Sequence, residues 1–146
     1  GTASKAGGTK TKGKKAASAI KKAKSVARSD ENTPVAIKVK AMERARLTIM
    51  EAVPQVRISL IGPNGYFTIG FVACLKDPRA DVSVASCDSL YLLADSLIPK
   101  ELVGVASVTM PIAISRCDLS EPLVVRTACA QLVVKMAYVT GYDEEV

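Results

Sequence analysis

The sequence contains 146 residues with a formal net charge of +6, and it has no histidine. This length suits one domain with a tail. Without histidine, the commonest general base and a common zinc ligand are missing, and no GxSxG nucleophile motif or phosphate-binding loop replaces them. We therefore expect a protein that is not an enzyme, with no metal, no cofactor and no small-molecule substrate.

Charge is divided sharply between the first 29 residues and the rest. Residues 1–29 carry nine Lys and Arg and no acid, whereas residues 30–146 carry 11 basic and 14 acidic residues. A segment with this composition cannot bury enough apolar surface to offset its ordering entropy, so we expect it to be disordered until a polyanion binds. The predicted RNA-binding residues are Lys5, Lys10, Lys12, Lys14, Lys15, Lys21, Lys22, Lys24 and Arg28.

Lysine dominates this basic arm, and no aromatic residue interrupts it. The arm therefore lacks aromatic side chains that could stack on bases, and lysine does not make the bidentate contacts to base edges that arginine makes. The arm can still place the positive charge of its lysine side chains against phosphate groups. This predicts strong, salt-dependent binding to RNA that is nearly independent of sequence. The arm and its linker are predicted over residues 1–33, and a folded domain over residues 34–146.

After the linker, apolar residues alternate over residues 35–40 and again over 44–49, which predicts two strands. A helix over 41–53 is the competing prediction, because this stretch has good helix propensity. The uncharged run 58–75 is long enough for a membrane helix, but Gly-Pro-Asn-Gly at 62–65 interrupts it. We predict no membrane span there.

A β-hairpin is predicted around that turn. Val56, Ile58 and Leu60 alternate before it, and alternate residues from 67 to 75 follow, with Phe67, Ile69 and Phe71 on one core face.

The rest of the chain predicts a loop at 76–81, a short strand at 82–85 and one helix from Asp88 to Leu97 that ends before Pro99. Strands are predicted at 102–109, 112–116, 123–130 and 132–139, and a solvated acidic tail closes the chain. The carboxylate pair Asp77 and Asp81 could bind calcium, but a solvated loop explains it better. No signal peptide is recognised, so we expect reduced cysteines in or near the core.

Many short strands, regular turn signals and a single helix predict an all-β protein, a sandwich or barrel. A nonspecific arm on a body without a recognisable site suggests that copies of the body associate, since many weak arms gain strength together. The predicted partners are RNA and further copies of this chain.

The chain resembles coat proteins of small positive-strand RNA viruses of the bromovirus and cucumovirus kind. The resemblance lies in the Lys/Ala-rich segment 8–24, the Thr-Pro linker at 33–34, the helical segment 89–97 and the terminal segment 131–139. It implies an eight-stranded jelly-roll sandwich with one short helix and a basic N-terminal arm. It further implies a capsid protein that forms an icosahedral shell, packages RNA, is assembled in the host cytoplasm and resides in the virion.

Three alternatives remain open at this point, one of them an enzyme that uses carboxylates alone. The chain could be a cellular nucleic-acid-binding protein of the ribosomal or chromatin type. It could also be a viral movement or accessory protein that coats RNA without forming a shell.

Overall fold

A computed structural model describes residues 33–141, and about 80% of these residues are helical. No strand occurs among them. The six helices, in chain order, are α1 (Val35–Glu51), α2 (Pro54–Ile61), α3 (Tyr66–Leu75), α4 (Ala80–Ser96), α5 (Pro99–Ser115) and α6 (Leu123–Thr140).

The predicted all-β jelly roll is therefore wrong. In α1 the buried side chains are Lys38, Met42, Ala45 and Ile49, a spacing of four, three and four residues that marks one face of a helix. The alternation over 35–40 arose because β-branched residues also occupy the partly exposed sides of this helix. The competing helix prediction for 41–53 is confirmed, and α1 extends it towards the arm.

The turn at residues 62–65 is confirmed, but it joins two helices, α2 and α3, instead of two strands. Phe67 and Phe71 are fully buried, as predicted, whereas Ile69 is half exposed. In a helix, residues four apart share a face and residues two apart do not. The two Phe residues are therefore core residues as predicted, but they share one face of a helix and not one face of a strand.

The predicted helix at 88–97 is confirmed within α4, which begins earlier and includes the predicted strand at 82–85. The strands predicted at 102–109 and 112–116 form α5, and those predicted at 123–130 and 132–139 form α6. α6 ends at Gly141, which adopts the left-handed conformation that favours glycine at a helix end.

Four helices form a bundle, and the other two cover one side of it. α3, α4, α6 and α5 pack in that cyclic order, so that α3 and α6 lie diagonally opposite each other. α1 packs against α4 and α3, and α2 packs against α3 and α5. The apolar helix α3 is therefore enclosed by helices, whereas α6 touches only α4 and α5 among the helices of residues 33–141.

The turn between α2 and α3 packs closely against α5, which fixes its position on the bundle. A Cβ at Gly104 of α5 would lie 2.9 Å from Cδ of Pro63 and 3.0 Å from Cα of Gly62. A larger residue at this position would push the turn away from α5. The glycine thus permits α2 to close over the end of α3.

Truncating Phe71 tests the position of the core. Phe71→Ala should lower the free energy of unfolding by about 3–5 kcal/mol, because a fully buried aromatic ring leaves a cavity. Ile69→Ala on the same helix is the matched control and should cost much less. Equal losses in urea unfolding of the two variants would contradict the orientation of α3.

Candidate nucleic-acid interface and the charge cluster beside it

The nine predicted RNA-binding residues, Lys5 to Arg28, lie outside the described residues. The structure describes the point at which the predicted arm joins the body, at Thr33 and Pro34. Pro34 immediately precedes α1, and its carbonyl accepts hydrogen bonds from the amides of Ile37 and Lys38. The arm and the domain boundary at 33/34 stay predictions.

A buried carboxylate lies beside this junction. Asp77, in the connection between α3 and α4, is paired with Nζ of Lys38 at 2.9 Å and with Nη2 of Arg79 at 2.8 Å. Its second oxygen accepts from Nε and the backbone amide of Arg79, at 3.0 and 2.9 Å. Nη1 of Arg79 also donates to the carbonyl oxygen of Thr33 at 2.5 Å. One carboxylate therefore links α1, the α3–α4 connection and the base of the arm.

A second arginine holds the same connection from the other side. Nη1 of Arg116, at the end of α5, donates to the carbonyl oxygens of Leu75 and Asp77 at 2.6 and 2.8 Å, and to the hydroxyl of Ser83. Its other two nitrogens bind both carboxylate oxygens of Glu121, each at 2.9 Å. This bidentate pair fixes the plane of the guanidinium while the first nitrogen reaches inward.

The charges in this cluster satisfy one another. The hydrogen bonds from Arg79 and then those from Lys38 hold the pKa of Asp77 far below its usual value, although burial opposes this. Arg116 likewise lowers the pKa of Glu121. Within residues 33–141, no buried side-chain nitrogen or oxygen lacks a hydrogen-bond partner. The cluster therefore anchors the start of α1, and its buried nitrogens and oxygens all find partners within the body.

Five of the 11 basic side chains of the body form ion pairs within the fold, which limits what the body can offer to nucleic acid. Ion pairs occupy Lys38, Arg57, Arg79, Arg116 and Lys135. The exposed basic residues are Lys40 and Arg44 on α1, Lys76 before α4 and Lys100 in the first turn of α5.

Lys40 and Arg44 are the body residues best placed to extend the predicted interface. They lie four residues apart on the exposed side of α1, the helix that follows the arm directly. Glu43 and Glu51 share the exposed side of α1, so the extension is modest.

Sequence patterns did not identify the Asp77 cluster. Asp77 was paired with Asp81 in a solvated loop, but Asp77 is buried and Asp81 is exposed in the first turn of α4. The motif Asp77-Pro78-Arg79 was the available signal, because the side chain and amide of the second residue after an aspartate can both return to its carboxylate. Among the described residues, no group of three or more His, Cys, Asp or Glu could hold a metal ion.

The cysteines are confirmed as core residues. Cys74, Cys87 and Cys129 are buried, Cys117 is partly buried, and all four are free thiols. Burial raises the pKa of Cys74 to about 11. Sγ of Cys87 lies 3.6 Å from Sγ of Cys129, joining α4 to α6, and this hydrogen bond and burial raise the pKa of Cys87. Cys74 and Cys87 are therefore protonated packing groups at neutral pH.

One helix of the described part, Leu123–Thr140, is long and apolar enough to cross a membrane, and the bent pair formed by α2 and α3 would count as a second span. The sequence had suggested no span. Only 22% of the α6 segment is buried in the body. This exposed apolar surface is a feature that any proposed function has to accommodate.

Comparison of the chain with protein-family models, curated proteins and solved structures finds no match in any of the three. The resemblance to viral coat proteins therefore stays a hypothesis. Function has to be argued from the residues themselves.

Asp77→Asn should destabilise the body by about 3–5 kcal/mol at neutral pH, because the buried Lys38 loses its counter-charge. The lowered pKa of Asp77 means that its ionisation stabilises the fold above its unfolded pKa, near 4, and that this contribution is lost as pH falls below it. Urea unfolding between pH 2 and 7 should therefore depend less on pH in the variant.

Asp81→Asn is the matched control and should cost at most about 1 kcal/mol, the value of an exposed carboxylate in a first helical turn. If Asp77→Asn behaved like this control, the cluster would not organise the fold.

Proposed function

We propose that this chain coats and packages RNA. The Lys-rich arm neutralises phosphate, and the helical body joins many copies into one particle. The observation that carries the proposal is the division of charge, with nine basic residues and no acid in residues 1–29 against an acidic excess in residues 30–146. The icosahedral geometry depended on the jelly roll and forms no part of the proposal.

The composition of the body supports this division of tasks. Five of its basic side chains form ion pairs within the fold, so the surface retains few cations for phosphate. Phe67 and Phe71 are buried, which removes both from any base-stacking surface. RNA binding is therefore assigned mainly to the arm, with Lys40 and Arg44 on α1 as minor additions.

The surface of the body supports self-association. Large apolar side chains are exposed on every helix of the described part, among them Ile37, Ile58, Ile69, Leu92, Val103 and Val134. Apolar surface marks an interaction site where such side chains adjoin, as the exposed Leu123 and Val124 do at the start of α6. If copies associate through such surface, their arms act together on one RNA, and weak individual contacts become strong overall.

Removing the charge of the arm tests the nucleic-acid half of the proposal. A full-length variant with the nine basic residues of the arm changed to Gln should bind single-stranded RNA far more weakly in fluorescence anisotropy. The slope of log K against log salt should fall from about −6, the value for nine phosphate contacts, towards zero.

The matched control replaces Lys40, Arg44 and Lys100 with Gln on the body and should change the slope much less. Deleting residues 1–29 should leave the thermal unfolding of the body unchanged, and loss of folding would refute the division into arm and body. If the full chain stays monomeric with RNA at low salt, the coat-forming half of the proposal is wrong, and the chain is a nucleic-acid-binding protein that does not form a coat.

A further inference from the structure

Two of the four cysteines form a close pair of thiols in the core. Cys87 lies on α4 and Cys129 on α6, and their sulfur atoms are 3.6 Å apart. Both residues are buried, with exposed fractions of 1% and 0%. They are 42 residues apart in the sequence, so the packing of the two helices brings the sulfurs together.

A second contact holds α4 and α6 in register along the same interface. Lys135 of α6 pairs with Asp95 of α4 and lies 5.2 Å from the centre of the Tyr91 ring. Cys87 precedes Asp95 and Cys129 precedes Lys135, so the two helices run in the same direction. The sulfur pair lies about 9–12 Å along the helices from the ion pair. Sliding one helix along the other to separate the sulfurs would therefore break the ion pair.

The two thiols differ in acidity. The hydrogen bond from Cys87 lowers the pKa of Cys129, burial opposes this, and the charge of Arg116 lowers the pKa further. The same hydrogen bond and burial raise the pKa of Cys87. The nearby acids, Asp88 for Cys87 and Glu121 for Cys129, raise the pKa of each thiol. Cys129 is therefore the sulfur that ionises first and attacks an electrophile.

We propose that Cys87 and Cys129 form a reversible disulfide bond that fastens α6 to the bundle under oxidising conditions. A disulfide holds its sulfurs about 2.05 Å apart, so these two have to approach each other by about 1.5 Å. Rotation of both side chains and a small shift of α6 supply this movement. Such a shift meets little resistance, because α6 contacts only α4 and α5 among the helices of residues 33–141.

Hydrogen peroxide is a sufficient oxidant. Sγ of Cys129 attacks one peroxide oxygen, the O–O bond breaks, and the departing hydroxide takes up the thiol proton as water. Sγ of Cys87 then attacks the resulting sulfenic sulfur, the S–O bond breaks, and a second water leaves with the Cys87 proton. The two sulfurs lose two electrons in total, and the peroxide oxygens gain them. Two molecules of reduced glutathione reverse the reaction and leave as glutathione disulfide.

The position of α6 gives a small oxidant access to the pair. A helix with few packing partners opens at a lower free-energy cost than one enclosed on all sides, and peroxide is little larger than water. Cys117, directly after α5, is only partly buried and is the competing target for oxidation.

The bond would close a loop that contains the whole of α5, since Pro99–Ser115 lies between the two cysteines. Closing a loop of this length restricts the unfolded chain and favours the folded one. Oxidation would therefore stabilise the body, and in particular the attachment of its last helix.

Peptide mapping of the full chain tests the proposal without RNA. After treatment with hydrogen peroxide, free thiols are alkylated with iodoacetamide and the chain is digested with trypsin. Each cysteine falls in its own tryptic peptide, with Cys74, Cys87, Cys117 and Cys129 in peptides 58–76, 80–100, 117–126 and 127–135.

The expected main product links peptide 80–100 to peptide 127–135 and is lighter by two hydrogen atoms than the two reduced peptides together. Reduced glutathione should return both peptides to the thiol form. Oxidation mainly at Cys117, with Cys87 and Cys129 both alkylated, would overturn the proposal.

Thermal unfolding tests whether the bond fastens the helix. The oxidised chain should unfold roughly 10 °C or more above the reduced chain. Cys129→Ala should abolish this difference, and Cys117→Ala is the matched control that should retain it. Each variant is compared with its own reduced form, so the cost of the substitution itself cancels. An oxidised chain that carries the linked peptides but unfolds no higher than the reduced chain would refute the fastening role.

Discussion

A buried carboxylate needs cations beside it, and the Asp77 carboxylate is paired with Lys38 and Arg79. Side chains from three helices meet at this residue. Its side chain holds Lys38 of α1, and its carbonyl oxygen receives Arg116 from α5 and Ser83 from α4. These partners are 39, 39 and six residues away in the sequence. The position of α1 on the bundle, and with it the position of Thr33 and Pro34 before it, depends on this one connection between α3 and α4.

Local features of the fold were predictable where they depend on a few adjacent residues. The turn at 62–65 and the helix within α4 are such features, and the burial of Phe67 and Phe71 follows from their size. Helix and strand were confused elsewhere because Val and Ile favour strands intrinsically, whereas packing around the bundle decided their conformation. The prolines were the sequence signals that mark where the helices begin. Pro54 and Pro99 occupy first helical turns, and Pro34 and Pro122 directly precede helices.

The functional residues also differ in how far the sequence indicates them. The arm is predicted from composition alone, because electrostatic attraction to phosphate requires charge density and no particular fold, and it stays a prediction. The Asp77 cluster could not be predicted, because a sequence does not show which distant cation meets a given acid. Asp81, four residues further on, has the same side chain and remains in solvent. What distinguishes the two is the approach of α1 and α5 in three dimensions.

The bond from Arg79 to the carbonyl of Thr33 has a mechanical consequence. A chain held by its N-terminal segment transmits any pull to the body at Thr33, two residues before the first turn of α1. There the load divides between the Arg79 bond and the helix, and Lys38 anchors that turn to Asp77. Tension on the tether is thereby passed to the bundle without unwinding α1, so the body resists peeling from its attached end.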